Sequence, residues 1–192
     1  MSAYPIYEYL ERIANLLRAQ VRSTQGLRLQ PVQLEILHYL SICNRHSNTA
    51  AAVTEYLGLT KGTVSQTLSV LESKGYLHRV QDAKDKRVTR LYLTPKAKAL
   101  LAEAWPPPLL QLALDRIPFE QQQQLIQGLN SLLQGLQSAH RLKAFGVCRT
   151  CRYLKQTGEN RSCGLTGLPL AEAELNLICR EHLPSSPNEE IV

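Results

Sequence analysis

Four of the five cysteines lie in the last quarter of the chain, and a histidine accompanies them. Their order is Cys148-x2-Cys151, then Cys163, then Cys179-x2-His182. Two short chelating pairs with a further thiol between them suit a tetrahedral ion, and thiolate and imidazole are the ligands of structural zinc. Such a cluster in an intracellular protein indicates metal or redox chemistry before it indicates disulfides.

Five candidate ligands compete for the four positions of such a site. We expect Cys148, Cys151, Cys163 and Cys179 to be the metal ligands, with His182 either behind them or in place of Cys163. Zinc is the expected cofactor. An iron–sulfur cluster is the alternative because four thiolates also hold such clusters, although the separations differ from the compact ferredoxin pattern. Disulfide or free-thiol redox chemistry, and buried cysteines without a ligand, stay open.

The segment that carries these ligands is short. A helix is predicted over Pro169–Leu183, because a proline opens it and acidic residues precede basic ones along it. Residues three apart share a helix face, so Cys179 and His182 would point the same way. The segment is too small to build its own core, and a metal would supply the missing stability.

A second group of residues has the chemistry for binding a polyanion. The chain carries a formal charge of +6 and a pI of about 9.2, which favours phosphate contacts. A helix is predicted over Thr49–Leu57, and a second one begins after the N-cap Thr60 and ends near Lys74. Its apolar positions recur at helical spacing and would be buried: Val64, Leu68 and Leu71. Its outer face would carry Lys61, Thr63, Gln66 and Thr67.

Two short strands follow this pair of helices. Alternation from Tyr76 to Asp82 and again over Thr89–Leu93 predicts a hairpin around the charged turn Asp82–Arg87. Helix, turn, helix and basic hairpin are the parts of a winged helix-turn-helix. One helix of such a unit enters the major groove, and the hairpin lays an arginine into the minor groove.

Helices are predicted on both sides of this unit. The first covers Tyr4–Gln20, another opens at Pro31, and a long final helix covers Phe119–Ala144; prolines 106–108 interrupt a helix that begins at Pro95. Cys43 is expected to be a buried thiol. The fold class is mainly α with a small β-wing. The domain prediction is 1–146 for DNA binding and dimerisation, 147–183 for the metal-binding extension and 184–192 for a disordered tail.

Several segments resemble the MarR family of winged-helix regulators. The likeness is carried by Leu59-Thr60-Lys61-Gly62-Thr63-Val64-Ser65-Gln66, by Leu71-Glu72-Ser73-Lys74-Gly75-Tyr76-Leu77, and by Leu93-Thr94-Pro95-Lys96-Ala97. Asp82-Ala83-Lys84-Asp85-Lys86-Arg87 is similar to the family's wing signature D-x-x-D-x-R. The resemblance spans about Tyr4 to Gly146. The triple proline and the cysteine-rich extension depart from the common family core.

The resemblance implies a homodimer formed by the first and last helices, and palindromic DNA read by one helix per half-site. It implies that Arg87 reaches the minor groove while Asp82 and Asp85 brace the turn. A small aromatic or phenolic effector, or cysteine oxidation, would release the DNA. The residues expected to contact DNA are Thr60, Lys61, Thr63, Gln66, Thr67, Lys86 and Arg87.

The expected function is therefore a sequence-specific transcription regulator, acting as a repressor and not as an enzyme. A thiol oxidoreductase using Cys148 and Cys151 is an alternative, but its usual βαβ setting is missing from the pattern. A protein-interaction module with a structural zinc is another. No run of about 18 apolar residues and no signal-peptide pattern occur, so a cytoplasmic protein is expected. Because Cys148 follows the long final helix, the cysteine site is expected to act on DNA affinity through that helix, with a purely structural clip as the alternative.

Overall fold

The computed structural model describes residues 2–23, 29–139 and 143–185. Helices form two runs separated by a strand pair, further short strands follow near the C-terminus, and the described architecture is mainly helical, as predicted. The helices are α1 Tyr4–Ser23, α2 Pro31–Ile42, α3 Ala50–Leu57, α4 Lys61–Ser73, α5 Pro95–Ala104, α6 Pro108–Leu114 and α7 Phe119–Ala139. The antiparallel strand pairs are β1 Leu77–Gln81 with β2 Thr89–Leu93, β3 Gly146–Val147 with β6 Ile178–Cys179, and β4 Leu154–Thr157 with β5 Asn160–Cys163.

The hydrophobic core lies between α2, α3, α4 and the β1–β2 hairpin. The predicted inner positions of α4 are all buried: Val64, Leu68 and Leu71. They pack in one cluster with residues of α2 such as Leu34 and Leu37. A continuous core of this kind fixes the angle between α3 and α4, and therefore the face that α4 turns outward.

Local signals explain where α3 and α4 begin and end. The Thr49 hydroxyl accepts from the Ala52 N–H at 3.3 Å, and the Thr60 hydroxyl accepts from the Thr63 N–H at 3.2 Å. Each bond satisfies one free amide of a first turn. Between the helices, Gly58 adopts a φ of +64°, a left-handed conformation that costs glycine little. The predicted helix-turn-helix is confirmed.

A polar loop, Asn44–Asn48, connects α2 to α3 and contacts the hairpin. Asn48 is tied to Leu91 of β2 by two hydrogen bonds: the Leu91 N–H donates to the Asn48 carbonyl at 2.8 Å, and the Asn48 amide donates to the Leu91 carbonyl at 3.1 Å. The loop therefore holds the second strand of the wing against the helical body.

The flanking helices α1 and α7 bury little. None of the side chains of α7 is buried, and its apolar stripe is open to solvent; Leu125, Leu129, Leu133 and Leu136 are each 45–53% exposed. The helix is described to Ala139, and residues 143–145 are not helical, so the predicted helical end at Ala144 is wrong. The predicted break at the prolines is confirmed, since α5 ends at Ala104 and α6 begins at Pro108.

The helix predicted over Pro169–Leu183 is wrong. A 3-10 turn at Glu172–Asn176 is followed by strand β6. Cys179 pairs with Gly146, and the Ile178 carbonyl accepts from the Asn44 N–H at 2.8 Å. These partners, distant in sequence, take the backbone groups that a helix would have used within itself, so the chain is extended there.

The predicted disordered tail starts too early. Pro184 forms a bridge with Cys151, and the Ser185 N–H donates to the Thr150 carbonyl at 3.2 Å. Residues 186–192 lie outside the described residues. Gly146, expected to end the first domain, begins strand β3 instead.

Candidate nucleic-acid interface and cysteine site

Helix α4 presents a polar outer face. Lys61, Thr63 and Gln66 are exposed there, as predicted, and none of them belongs to the buried cluster. Thr60, also exposed, lies at the N-cap with its hydroxyl 2.9 Å from that of Thr63. Side chains of this size and polarity suit the width of a DNA major groove.

The outward placement predicted for Thr67 is wrong. Thr67 is only 8% exposed, and its hydroxyl donates to the Thr63 carbonyl at 2.7 Å, so it faces the core beside Leu68. Ser65 and Ser69 take its place on the exposed face. Their small hydroxyls gave no strong signal in the sequence, although helical spacing from Lys61 and Gln66 puts them on that side.

The wing turn is organised by Asp82. Its carboxylate accepts from the backbone N–H groups of Lys84 and Asp85 at 2.9 and 3.2 Å, and from Arg90 Nε at 2.7 Å. These bonds, first that of the Lys84 N–H and then that of the Arg90 guanidinium, lower the pKa of Asp82 to about 2. Asp82 therefore stays ionised and holds the turn, as expected.

Asp85 holds the arginine that ends the wing motif. It accepts from Arg87 Nε and Nη2, both at 2.9 Å, and from the Arg87 N–H at 3.0 Å. The guanidinium bonds, and after them the N–H bond, lower the pKa of Asp85. The Arg87 side chain is still 91% exposed, and its neighbour Lys86 is exposed as well. The turn thus projects positive charge into solvent.

The cysteine site is assembled from separate stretches of the C-terminal segment. Cys148 and Cys151 flank a 3-10 turn, Cys163 ends β5 and Cys179 ends β6. All four line one small cavity of about 50 Å³. Cys43 lies apart from them; it is buried and its thiol donates to the Leu40 carbonyl.

Two of these thiols have altered acidity. Burial, and after it the negative charge of Cys179, Cys151 and Cys163, raises the pKa of Cys148 to about 11. Burial also acts on Cys163, but bonds from the Thr166 hydroxyl and from the N–H groups of Thr166 and Leu165 outweigh it and lower the pKa of that thiol. A turn whose N–H groups converge on a sulfur favours the thiolate, the form that binds metal.

The side chains around this cavity do not form a preassembled metal cage. Among the described residues, no group of three or more His, Cys, Asp or Glu side chains is arranged to hold a metal ion. His182 does not line the cavity. Its Nε2 lies 3.1 Å from the Thr150 hydroxyl and its Nδ1 is buried without a partner, packed against Gly146.

Two residues of the Asn44–Asn48 loop also line the cavity, and the sequence did not indicate them. They are Asn44 and His46. The Asn44 side chain lies beside the Cys148 thiol and acts to lower its pKa, against the larger effect of burial. Burial, and then the charges of Arg45 and Arg90, lower the pKa of His46 and keep its ring neutral at neutral pH. The site is therefore shared between the C-terminal segment and the helical body.

Further contacts fasten the C-terminal segment to the helix-turn-helix. Arg180 pairs with Glu55 of α3, with Nε 2.7 Å from Oε2, and the Arg180 N–H donates to the Ser47 hydroxyl at 2.9 Å. Phe145 packs edge-on against Tyr56, at 5.2 Å between ring centroids, and Ile178 packs against the core.

Comparison with known proteins gives the class of this fold. Residues 29–97 match the family model described as Winged helix DNA-binding domain. A solved structure of Streptococcus pneumoniae FabT in complex with DNA is 27% identical with a TM-score of 0.57, and the match covers 72% of this chain and 99% of that one. An S. aureus MepR–DNA complex is 24% identical with a TM-score of 0.57, covering 67% and 97%.

A MarR transcriptional regulator from Methanosarcina mazei is 19% identical with a TM-score of 0.59, covering 70% of this chain and 97% of that one. Residues 29–97 therefore match a winged helix DNA-binding domain, and the fold of the chain is similar to that of MarR transcriptional regulators. Within the part of the chain that the structure describes, no helix is long and apolar enough to cross a membrane.

Proposed function

We propose that this protein is a sequence-specific DNA-binding transcription regulator that binds a palindromic operator as a homodimer. The proposal rests on two exposed surfaces that occur in one unit. One is the polar face of α4 from Lys61 to Gln66, and the other is the wing, where Asp85 braces Arg87. FabT and MepR, which share the fold, were both solved on DNA. Occupying promoter DNA would make the protein a repressor.

Two substitutions separate the roles of helix and wing. Arg87→Ala should weaken operator binding, reduce the slope of log K against log salt by about 0.9 for a lost phosphate contact, and relax preference for narrow A·T tracts. Gln66→Ala should change which bases are selected, because a glutamine pairs with an adenine edge. Binding is measured by fluorescence anisotropy on a selected operator and on variants of it. If neither substitution alters affinity or selectivity, the proposed DNA-binding surface is wrong.

A second copy of this chain is the proposed partner of α1 and α7. A 21-residue helix with no buried side chain gains little stability from the rest of the protomer. Its exposed leucines face the same way as an apolar stripe, and α1 carries a further set that includes Ile13 and Leu16. Such a surface is typical of an obligate interface.

Sedimentation velocity at micromolar concentration tests this dimer. Leu129→Asp with Leu133→Asp should give monomers because it places charges inside the apolar interface. Ser131→Asp adds a charge to the opposite face of α7 and should leave the dimer intact. A wild-type monomer, or a dimer that survives the double substitution, would contradict the proposal.

We also propose that Cys148, Cys151, Cys163 and Cys179 bind one zinc ion. Support comes from their convergence on one cavity and from the N–H groups aimed at Cys163. Metal binding would draw the thiolates inward from the arrangement seen here. The small cavity favours a single ion over an iron–sulfur cluster, and the position of His182 favours a supporting role for that side chain.

Anaerobic purification followed by metal analysis and a visible absorption spectrum tests the site. One zinc per chain with no visible band is the expected result. A broad visible band with bound iron and sulfide would identify a cluster instead. Cys151→Ser should lower the zinc content, whereas Cys43→Ser should leave it unchanged because Cys43 lies outside the cavity. Purified protein that contains neither zinc nor iron would contradict the proposed site.

The state of this site is proposed to control DNA affinity. Operator affinity measured for zinc-loaded protein, for chelated or oxidised protein and for Cys151→Ala should differ by about tenfold or more, as in typical coupled sites. Equal affinity in all three dimeric forms would leave the zinc a structural clip.

A small aromatic effector is a further proposed partner. A cleft of about 280 Å³ lies between α1, α2 and the proline segment, lined by Leu17, Trp105 and the Arg18–Glu35 pair among others. An apolar cleft with a few charged groups suits such a ligand. Phenolic acids that raise the melting temperature of the wild type and not of Trp105→Ala would support this partner.

A further inference from the structure

The Asn44–Asn48 loop touches the cysteine cavity with one side. Asn44 and His46 line that cavity together with the four cysteines. The Asn44 side chain lies beside the Cys148 thiol, and the Asn44 N–H donates to the Ile178 carbonyl at 2.8 Å, directly before Cys179. The loop is therefore in contact with two of the strands and turns that carry the cysteines.

The other side of the same loop touches the wing. Arg90 Nη1 donates to the His46 carbonyl at 2.9 Å, while Arg90 Nε donates to Asp82 at 2.7 Å. The Arg90 side chain is only 16% exposed, so water competes little for these bonds. Asp82 in turn holds the N–H groups of the turn that ends in Arg87. His46 thus lines the cysteine cavity with its ring and bonds the wing arginine with its carbonyl.

The loop between these two sides is held as one unit. The Asn44 side-chain oxygen accepts from the N–H groups of His46 and Ser47, both at 3.0 Å. The Ser47 carbonyl accepts from the Tyr39 hydroxyl at 2.9 Å. A short loop with its own internal bonds shifts as a body, so a displacement at Asn44 moves the His46 carbonyl.

We propose that the Asn44–Asn48 loop couples the cysteine site to the wing within one protomer, through the His46 carbonyl and the Arg90 guanidinium. The coupling rests on the metal site proposed above and adds the route by which its state reaches the DNA-binding surface. This route does not pass through the dimer helices, which were expected from the sequence to carry the signal.

Metal binding acts on the start of this route through the strand that carries Cys179. An ion held by Cys148, Cys151, Cys163 and Cys179 would tie together the stretches of chain that carry them, and the Asn44 N–H is bonded to one of these stretches through the Ile178 carbonyl. The loop, and with it Arg90 and the wing turn, is more firmly held in the loaded protein.

Hydrogen exchange in the full chain without DNA tests the coupling. Exchange rates are measured for the Asp85 and Val88 amides, whose hydrogen bonds close the wing turn, in zinc-loaded and in chelated protein. Zinc should slow both amides by about tenfold in the wild type, within the usual range of coupling between sites. Arg90→Ala should remove this zinc-dependent difference while zinc content stays at the wild-type level.

Two further variants complete the test. Lys84→Ala removes one positive charge from the same turn without touching the loop, and it should keep the full zinc effect. Arg90→Lys keeps the positive charge beside Asp82 but loses the planar fork that reaches both Asp82 and His46. It should therefore show a reduced zinc-dependent difference in amide exchange, and it keeps the test valid if Arg90→Ala loosens the wing outright.

The outcomes separate this coupling from the functions on which it rests. Zinc binding with unchanged wing exchange in the wild type overturns the coupling alone. A full zinc effect in Arg90→Ala and Arg90→Lys also overturns it. Absence of zinc binding overturns the metal site and the coupling together, while DNA binding by α4 and Arg87 is measured independently of both.

Discussion

The winged-helix domain and the cysteine-rich segment are stabilised by different means. The domain buries a continuous apolar cluster that includes Leu34, Leu37 and Leu71. In the described part of the segment, Gly146 to Ser185, the buried hydrophobic residues are Cys148 and Leu175 alone. Ile178 packs against the core of the domain, and ion pairs and hydrogen bonds such as that of Arg180 with Glu55 add further contacts. A segment this small depends on the surface of its neighbour for a defined structure.

The first way to test this difference is to create one cavity in each region. Leu71→Ala should lower the free energy of unfolding by about 2–5 kcal/mol, because its side chain is fully buried in the shared core. Leu175→Ala, at 1% exposure, should lower it by less and should loosen the C-terminal segment locally. Urea denaturation followed by circular dichroism gives the first value, and amide exchange gives the second. Equal global losses would show that the two regions unfold as one unit.

The second test removes a contact between the regions. Arg180→Ala breaks the pair with Glu55 and should cost at most about 1 kcal/mol, because both side chains are partly exposed. The substitution should speed amide exchange at Cys179 and leave amide exchange in α4 unchanged. Lys155→Ala, an exposed charge removed elsewhere in the segment, is the matched control. Faster exchange throughout α4 would contradict the prediction that the domain is stable by itself.

The same pair gives the second test a pH dependence. The Arg180 guanidinium lowers the pKa of Glu55 below its ordinary 4.5. The stabilisation that this pair gives is therefore fully present above pH 4.5 and is lost as the pH falls through the lower pKa of the folded protein. Acid should therefore loosen the segment from α3 before the core unfolds. Unfolding of the core is followed by tryptophan fluorescence, and loosening of the segment is followed by its amide exchange. The Arg180→Ala variant should lack the separate loosening step.

The smallest expected effect concerns the wing turn. The folded pKa of Asp82, about 2, lies below the ordinary 3.8, so the brace is complete above pH 3.8 and is lost as pH falls toward 2. Arg90→Ala should move the midpoint of the Asp82 carboxyl resonance in an NMR titration toward higher pH. A wild-type midpoint near 4 would contradict the bonds assigned to this carboxylate.

Much of the surface proposed to bind DNA could be predicted from the sequence because its signals are local. Thr60 caps the helix beside it, Gly58 turns the chain just before, and apolar spacing within α4 decides which residues face outward. Thr67 is the exception: it lies three residues after Val64 and four before Leu71, so helical spacing places it on the buried face, and only its polar hydroxyl favoured the surface.

From the sequence by itself, the spacing of the four cysteines predicted one shared site, and the structure places all four around one cavity. Only the tertiary structure decided that β6 is a strand and that Asn44 and His46 complete the cavity. The bond between the Arg180 N–H and Ser47 joins residues 133 positions apart. Helical patterns are read within a few turns of the chain, whereas pairing between such distant segments depends on how the whole core places them.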